Sequence, residues 1–355
     1  MSDEETDRTG AEPAPVRVSY LQRLRTIRDQ PGPLESLLLA AACIVLVLGI
    51  WHFLSGGFGN KRIVNAFILP TIGETFGSFG TLWNERALAR GIAWSLGRVL
   101  TGFLAGAAIA IPLGVLAGSY LRLNAFLRPL SVFGRSIPIA ALIPLTVVWF
   151  NVGEMQKVMF ILIASIAFVF FDTTHAVEGV SNRFLDTAYT LGARINRRAG
   201  AISAAVIAVF YAALLALLPI LTTAFSAGAI DWGVASAKLT SGPTLIRALI
   251  GWIGGFALWY PIRSHQVLSK VVLPLALPNI VNSMRLLFGL GFGYIILAEV
   301  LDSDYGLGKI IFTSQRRGSY EHIYLILIVI ALVAFAIDRT VYQLQKRWFP
   351  YREIP

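Results

Sequence analysis

The chain has 355 residues, of which 56% are hydrophobic and only 14% are charged, and its mean hydropathy is +0.68. An ordinary soluble domain carries about 25% charged residues, so this composition excludes a soluble globular protein and indicates an integral membrane protein. The formal net charge of +10 fits the Lys and Arg that membrane proteins collect on the cytoplasmic side, so no nucleic-acid partner is expected, and the single Cys43 excludes an internal disulfide and a cysteine metal cluster.

The predicted elements begin with a polar, initially acidic segment over residues 1–36, which predicts a cytoplasmic tail and a short interfacial helix. An uncharged run over 37–55 predicts the first, retained membrane helix. Further apolar stretches long enough to span a bilayer follow at 92–120, 126–150, 156–176, 201–226, 243–262, 281–301 and 321–340. The predicted fold class is therefore all-α: a polytopic membrane helix bundle of about eight transmembrane helices.

The distribution of Lys and Arg favours cytoplasmic N- and C-termini. The protein is then a multi-pass membrane protein, and the loops 178–200 and 263–280 lie on the same cytoplasmic side. The two loops are separated by a pair of predicted helices within 201–264. Because two spans return the chain to the side it left, both loops lie on the same side of the membrane.

Helix 92–120 carries small residues at every fourth position, which predicts close packing against a neighbouring helix or a second subunit. These residues are Gly102, Gly106, Ala110, Gly114 and Gly118. Helix 126–150 is interrupted by several prolines and is the best candidate for lining a pathway, because broken helices at membrane depth occur mainly beside protein or a wet cavity.

Two sequence fragments, 185–193 (LDTAYTLGA) and 271–274 (VVLP), together resemble the coupling loop of bacterial ABC-importer permeases. Other short motifs stand in the order known for one group of these proteins: SLGRVLTG at 95–102, IPLG at 111–114, RSIP at 135–138, AE at 298–299 and GLG at 306–308. Over about residues 66–195 and 266–348 the chain resembles the inner-membrane permease of nitrate, sulfonate, taurine and bicarbonate-type ABC importers.

The resemblance implies a homodimeric pore in the lipid bilayer of the bacterial inner membrane, with cytoplasmic ABC ATPase subunits and an extracytoplasmic solute-binding protein as partners. It implies no cofactor in this chain and no enzymatic activity, because ATP and Mg would be held by the ATPase, and no Walker motif occurs here. The implied coupling residues are Leu185, Asp186, Thr187, Ala188, Gly192, Ala193, Leu273 and Pro274.

The chain also departs from the family pattern, because residues 194–270 separate two fragments that lie close together in the sequences of the family. Asp186 and Thr187 further replace the usual Glu and Ala. The predicted organisation is a tail at 1–36, a first core part at 37–200, an inserted two-helix hairpin at 201–264 and a second core part at 265–355. The hairpin is either a peripheral element or an added contact surface, and the loop itself is either a docking site or a basic connector that binds nothing.

Polar residues at membrane depth, together with the proline where the backbone is interrupted, are the candidates for a translocation pathway. They are Ser95, Arg98, Arg135, Ser136, Pro138 and Glu299. The competing interpretation is structural, for instance an ion pair of Arg98 or Arg135 with Glu299. The scattered His residues predict no metal site.

The predicted function is the permease subunit of an ABC importer for a small, anionic or zwitterionic solute. One alternative is an ion-driven secondary transporter or channel with a vestigial coupling loop. The other is a membrane-embedded enzyme that uses Asp172, His175 and Glu178.

Overall fold

The first apolar run forms helix α1 (Pro33–Gly56) in a computed structural model that describes residues 31–56, 62–227, 241–301 and 303–351. Residues 1–30 of the predicted tail lie outside the described residues. The chain divides into two units, Met1–Ala66 and Phe67–Pro355. Helix α1 belongs to the first unit, and its 24 residues rise about 36 Å, which is enough to cross the hydrocarbon core of a bilayer.

The second unit begins with two short helices, α2 (Ile72–Gly77) and α3 (Phe79–Asn84). The long helix α4 (Leu88–Ser119) follows, and it packs along α7 (Glu154–Glu178). The predicted ladder of small residues makes this contact. A Cβ added at Gly102 would lie 2.6 Å from the carbonyl oxygen of Val158, and one at Gly118 would lie 2.8 Å from that of Thr174. The prediction of close helix packing is confirmed.

The stretch predicted as one helix over 126–150 is two helices, α5 (Leu121–Ser136) and α6 (Leu142–Phe150), which meet at 87°. A 3-10 turn at Ile139–Ala141 joins them. The physical cause of the break is Pro138, which has no N–H to donate and forces the preceding Ile137 into an extended conformation.

Helices α8 (Asn182–Thr190), α9 (Arg197–Ala227) and α10 (Gly242–Ser264) follow, and α9 and α10 form a hairpin. Gly251 and Gly255 of α10 abut Tyr211 of α9. The Tyr211 hydroxyl donates a hydrogen bond to the carbonyl of Ala108 in α4, and it accepts one from the Trp259 indole N–H at 2.9 Å. The hairpin is thus tied to the core by a polar contact as well as by packing.

A π-helical turn at Leu268–Val272 leads into α11 (Leu273–Leu301), which is followed by α12 (Leu307–Arg317) and α13 (Tyr320–Trp348). The main core joins α4, α7, α11 and α13 through side chains such as Phe103, Phe160, Phe292 and Leu325. Among the described residues seven helices are long and apolar enough to cross a membrane, and the bent pair makes up to eight. The all-α membrane bundle is confirmed.

Candidate functional site

The fragment 185–193 forms most of α8 and the turn that ends it. The N–H of Gly192 donates to the carbonyl of Tyr189 and the N–H of Ala193 donates to that of Ala188, both at 3.0 Å, while Gly192 has φ +82°. This is the Schellman arrangement, in which a left-handed residue caps the last carbonyls of a helix. Glycine suits the position because it adopts positive φ without strain.

The second fragment packs against the first. Ala188 is buried in a cluster that includes Val267, Leu268 and Val272, and Leu185 packs against the edge of that cluster. Contact between the fragments therefore runs through the buried face of α8 and the π-helical turn. Of the other predicted coupling residues, Ala193 is half-buried and packs against this cluster, and Leu273 is buried within it.

A short antiparallel joint brings the distant parts of the loop together. Ile195 and His265 form an isolated β-bridge, the N–H of Asn196 donates to the carbonyl of Ser264 at 2.8 Å, and the N–H of Arg194 donates to the side chain of Gln266 at 3.0 Å. The hairpin thus leaves and re-enters the loop at one point. The intervening residues do not separate the two fragments in space.

The remaining predicted coupling residues lie on the outside. Asp186, Thr187 and Gly192 are exposed, and Pro274 is half-buried, with its carbonyl accepting a hydrogen bond from the Tyr351 hydroxyl at 2.8 Å. A Cβ at Gly192 would meet nothing within 4 Å, so space is open beside the turn.

Four large apolar side chains also point outward here, and sequence reasoning missed them. They are Phe184, Tyr189, Leu191 and Ile195, which we call the loop surface, and Leu191 is 82% exposed. Helical spacing does not separate them from the buried residues, because Phe184 stands four positions before the buried Ala188 and lies on nearly the same side of the helix. Exposed basic residues, among them Arg183, Arg194 and Arg197, surround the patch.

Tyr120, at the end of α4, lies beside the loop surface. Burial and the neighbouring Tyr189 phenol raise the pKa of Tyr120, so its hydroxyl stays neutral. Its ring also meets the His265 ring edge-on, with 6.3 Å between the ring centroids. The end of α4 is thus packed close to both parts of the loop.

A second polar constellation, which we call the ion cluster, consists of Arg98, Glu154, Lys157 and Glu299. The Arg98 guanidinium donates to both Glu154 oxygens at 2.5 and 2.8 Å, to Glu299 Oε1 at 2.7 Å and to the carbonyl of Tyr305 at 2.8 Å. Lys157 Nζ donates to Glu154 at 2.9 Å. Arg98 is 1% exposed and Glu299 is fully buried, so these charges are neutralised inside the protein.

Glu299 is held by further donors. It accepts hydrogen bonds from the Ser95 hydroxyl at 2.7 Å and from the N–H of Gly308 at 2.9 Å, while the Ser95 oxygen accepts the N–H of Leu307 at 2.9 Å. Gly306 has φ +136°, and a Cβ there would lie 2.5 Å from the Glu299 carboxyl. The cluster therefore fixes the turn between α11 and α12 against α4 and α7.

Three of the six predicted pathway residues thus belong to a closed network rather than to an open passage. Arg98 does pair with Glu299, as the structural interpretation expected, and Ser95 joins them. Sequence reasoning missed Glu154 and Lys157, which stand one turn apart at the start of an apolar helix. Charged residues at the end of a membrane helix are commonly solvated, whereas Lys157 is 2% exposed.

The other three pathway residues lie together at the bend between α5 and α6. The Arg135 guanidinium carbon lies 3.5 Å from the centroid of the Phe171 ring, Ser136 donates to the carbonyl of Val132, and Pro138 is exposed at the break. Arg135 does not pair with Glu299. The predicted pathway residues therefore fall into two separate groups.

Residues 256–350 match the family model described as the binding-protein-dependent transport system inner membrane component. The chain is 24% identical over 324 residues to a putative ABC transporter permease protein of Methanocaldococcus jannaschii, with 90% of this chain and 94% of the relative covered. It is 24% identical over 325 residues to a putative aliphatic sulfonates transport permease protein of Bacillus subtilis, with 92% and 90% covered. It is 27% identical over 350 residues to a bicarbonate transport system permease protein of Synechococcus elongatus, with 97% and 96% covered.

Proposed function

Because the chain belongs to the family of inner-membrane permeases of binding-protein-dependent ABC importers, we propose that its loop surface is where the ATPase subunit docks. The observation that carries this proposal is a set of exposed large apolar side chains at a rigid, hydrogen-bonded turn. Side chains of this kind at the centre of a contact supply most of the binding energy of interfaces.

The proposal includes an orientation. The loop surface, the end of α4 and the start of α11 would face the cytoplasm, with both chain termini on that side, and the ion cluster would lie near the outer face. From Arg98 to the end of α4 the helix rises about 32 Å, so the two sites are separated by the thickness of a hydrocarbon core.

Coupling would then follow from packing. Movement of the ATPase displaces α8, and α8 is packed on the π-helical turn that continues into α11. A partner can shift a conformational equilibrium only through contacts that differ between the two states. The loop surface and the buried face beneath it supply such a contact, and the ATP and Mg remain with the partner.

For the solute we propose a small anion or zwitterion of the sulfonate, taurine, nitrate or bicarbonate class. Support comes from the relatives named for aliphatic sulfonates and for bicarbonate, which align over nearly the whole chain. A second copy of the chain would complete the pore, and an extracytoplasmic binding protein would deliver the solute. The pore must bind the solute weakly enough to release it, so selection of the solute is assigned to the binding protein.

Leu191→Ser tests the docking proposal. Burying an exposed leucine stabilises a contact by about 1.5–3 kcal/mol, so the variant should bind the co-expressed ABC ATPase of the same transport system about tenfold or more weakly. Leu301→Ser is the matched control, since Leu301 is 61% exposed but lies at the end of α11 that is farther from the loop surface. The readouts are co-purification of the ATPase and solute-stimulated ATP hydrolysis.

Equal ATPase binding by both variants would remove the loop surface as the docking site. Transport by the chain alone in liposomes, driven by an ion gradient and indifferent to ATP, would instead establish the secondary transporter.

A further inference from the structure

A cleft between α5 and α7 contains two adjoining cavities of opposite character. The first has a volume of about 270 Å³ and polar walls that include Asn124, Arg128 and Glu178. The second, of about 280 Å³, is bounded by apolar side chains apart from Ser131. Ser131 and Phe170 line both cavities, so the two spaces meet at those residues.

We propose that this cleft binds one membrane phospholipid whose headgroup carries both a phosphate and an ammonium group. The phosphate lies at Arg128 and Ser131, the ammonium lies at Glu178, and an acyl chain fills the apolar cavity. The site is separate from the loop surface and from the ion cluster, and it does not depend on how the ATPase docks.

The polar cavity has an available cation and an available hydroxyl. Among the described residues Arg128 makes no hydrogen bond or ion pair. Ser131 is 6% exposed and its hydroxyl has no hydrogen-bond partner there. A buried hydroxyl without a hydrogen-bond partner destabilises the protein, and a ligand that hydrogen-bonds to it removes that cost. The guanidinium group of arginine is well suited to binding phosphate oxygens. The cavity is also far larger than the roughly 10–15 Å³ that a single bridging water requires.

Glu178 selects the second charge of the headgroup. Its oxygens accept from the Asn124 amide at 2.5 Å and lie 3.4 Å from His175 Nδ1, at the edge of the same cavity. A ligand with only negative charge would be repelled by this carboxylate, whereas an ammonium group beside the phosphate would be attracted. A primary ammonium has N–H donors for the carboxylate, and the trimethylammonium of phosphatidylcholine has none.

The order of the cavities along the helices matches the order of a lipid across a bilayer. The polar cavity reaches Glu178 at the end of α7, while the apolar cavity extends to Ile163, about 20 Å deeper along the helix. Apolar cavities of about 150 Å³ stay dry and take up hydrocarbon, so a space of about 280 Å³ with leucine, isoleucine and phenylalanine walls fits part of an acyl chain.

Native mass spectrometry of the purified, delipidated full-length chain tests the proposal. Dioleoyl phosphatidylethanolamine, phosphatidylcholine and phosphatidylglycerol are added separately at equal concentration. We expect one retained phosphatidylethanolamine per chain and at least fivefold less of the other two. Arg128→Gln should lower its retention about tenfold, because it removes a charge-assisted contact to phosphate.

Arg122→Gln is the matched control, since Arg122 is exposed on the same helix and lines neither cavity. Gly134→Leu is an independent variant, because its side chain would enter the apolar cavity beside Ala167 while leaving the polar cavity intact. It should also reduce lipid retention, and gel filtration and the melting temperature show whether it is folded.

Three results would overturn the proposal: equal retention of the three lipids, retention unaffected by Arg128→Gln, or no lipid bound by any form of the protein. Displacement of the phospholipid by soluble hexanesulfonate at micromolar concentration would also overturn it, because the cleft would then belong to a transported solute.

Discussion

The loop surface and the ion cluster lie at opposite ends of the long helix α4, and they use polar and apolar residues in opposite ways. In the ion cluster every charge is matched inside the chain, and Glu299 receives donors from two helices, α4 and α12. At the loop surface the N–H groups of Leu191, Gly192 and Ala193 donate hydrogen bonds within the turn, yet the side chains of Leu191 and Tyr189 project outward.

The difference shows that a charged residue at membrane depth is not by itself a sign of a transport pathway. Arg98 and Glu299 join α4 to α11 and to the turn before α12, which is a structural task. The exposed apolar side chains of the loop surface have no such internal use. Exposed apolar patches of this kind are typical of surfaces that bind a protein or a membrane, and we propose the former here.

The largest expected effect in this comparison comes from Arg98→Gln. Removing one member of a buried ion network leaves the carboxylates of Glu154 and Glu299 without their shared cation, which costs about 3–5 kcal/mol. We expect a large loss of folded protein in detergent, measured as the midpoint of thermal unfolding and as the monodisperse yield.

Arg317→Gln serves as the control for the cluster, because Arg317 is exposed on α12 and a single surface charge contributes about 1 kcal/mol or less. Similar unfolding midpoints for the two variants would mean that the cluster does not hold the helices together at this end.

A smaller stability effect, confined to the loop end, is expected for Gly192→Val. A β-branched residue at φ +82° costs about 1–3 kcal/mol of local strain, so the turn after α8 should be lost while the bundle stays folded. Co-purification of the ATPase should fall sharply with little change in the unfolding midpoint. Gly179→Ala is the matched control in the same loop, because Gly179 has φ −71° and an added Cβ meets no contact closer than 3.4 Å.

Two results with Gly192→Val would contradict the claim that this turn serves docking rather than stability: unfolding of the whole bundle, or ATPase binding that stays intact. The first result would make the turn part of the core, and the second would place docking elsewhere.

The sequence predicted local features well and long-range partnerships poorly. Gly192 and the break at Pro138 could be predicted because backbone constraints act over a few residues. Glu154 was missed because its burial depends on Arg98, 56 positions away along the chain. The joint between Ile195 and His265 was not foreseen either, since nothing local indicates that the chain returns to the same point after a two-helix excursion.

The exposed side chains of α8 also depend on long-range contacts. Phe184 stands four positions before the buried Ala188, so the helical period places both on nearly the same side of the helix and does not predict which of them is exposed. Which face is buried depends on the π-helical turn near residue 270, and only the tertiary structure shows that turn beneath Ala188. The angle of 87° between α5 and α6 has the same origin, because a proline marks a break but not its direction.

The smallest expected effect on stability comes from Arg135→Gln, and it asks whether a charge outside the ion cluster serves transport. Arg135 lies over the Phe171 ring rather than in a closed network, and such a contact contributes about 0.5–1 kcal/mol at a partly exposed site. The unfolding midpoint should therefore fall slightly, and ATPase binding should not change. In proteoliposomes of the complete importer we expect slower uptake of taurine and hexanesulfonate, with recovery in Arg135→Lys, which keeps the charge but not the planar group.

Unchanged uptake in Arg135→Gln would reduce Arg135 to a packing residue. Loss of uptake in both variants would mean that the stacked guanidinium holds the bend, since a pathway role requires only the positive charge.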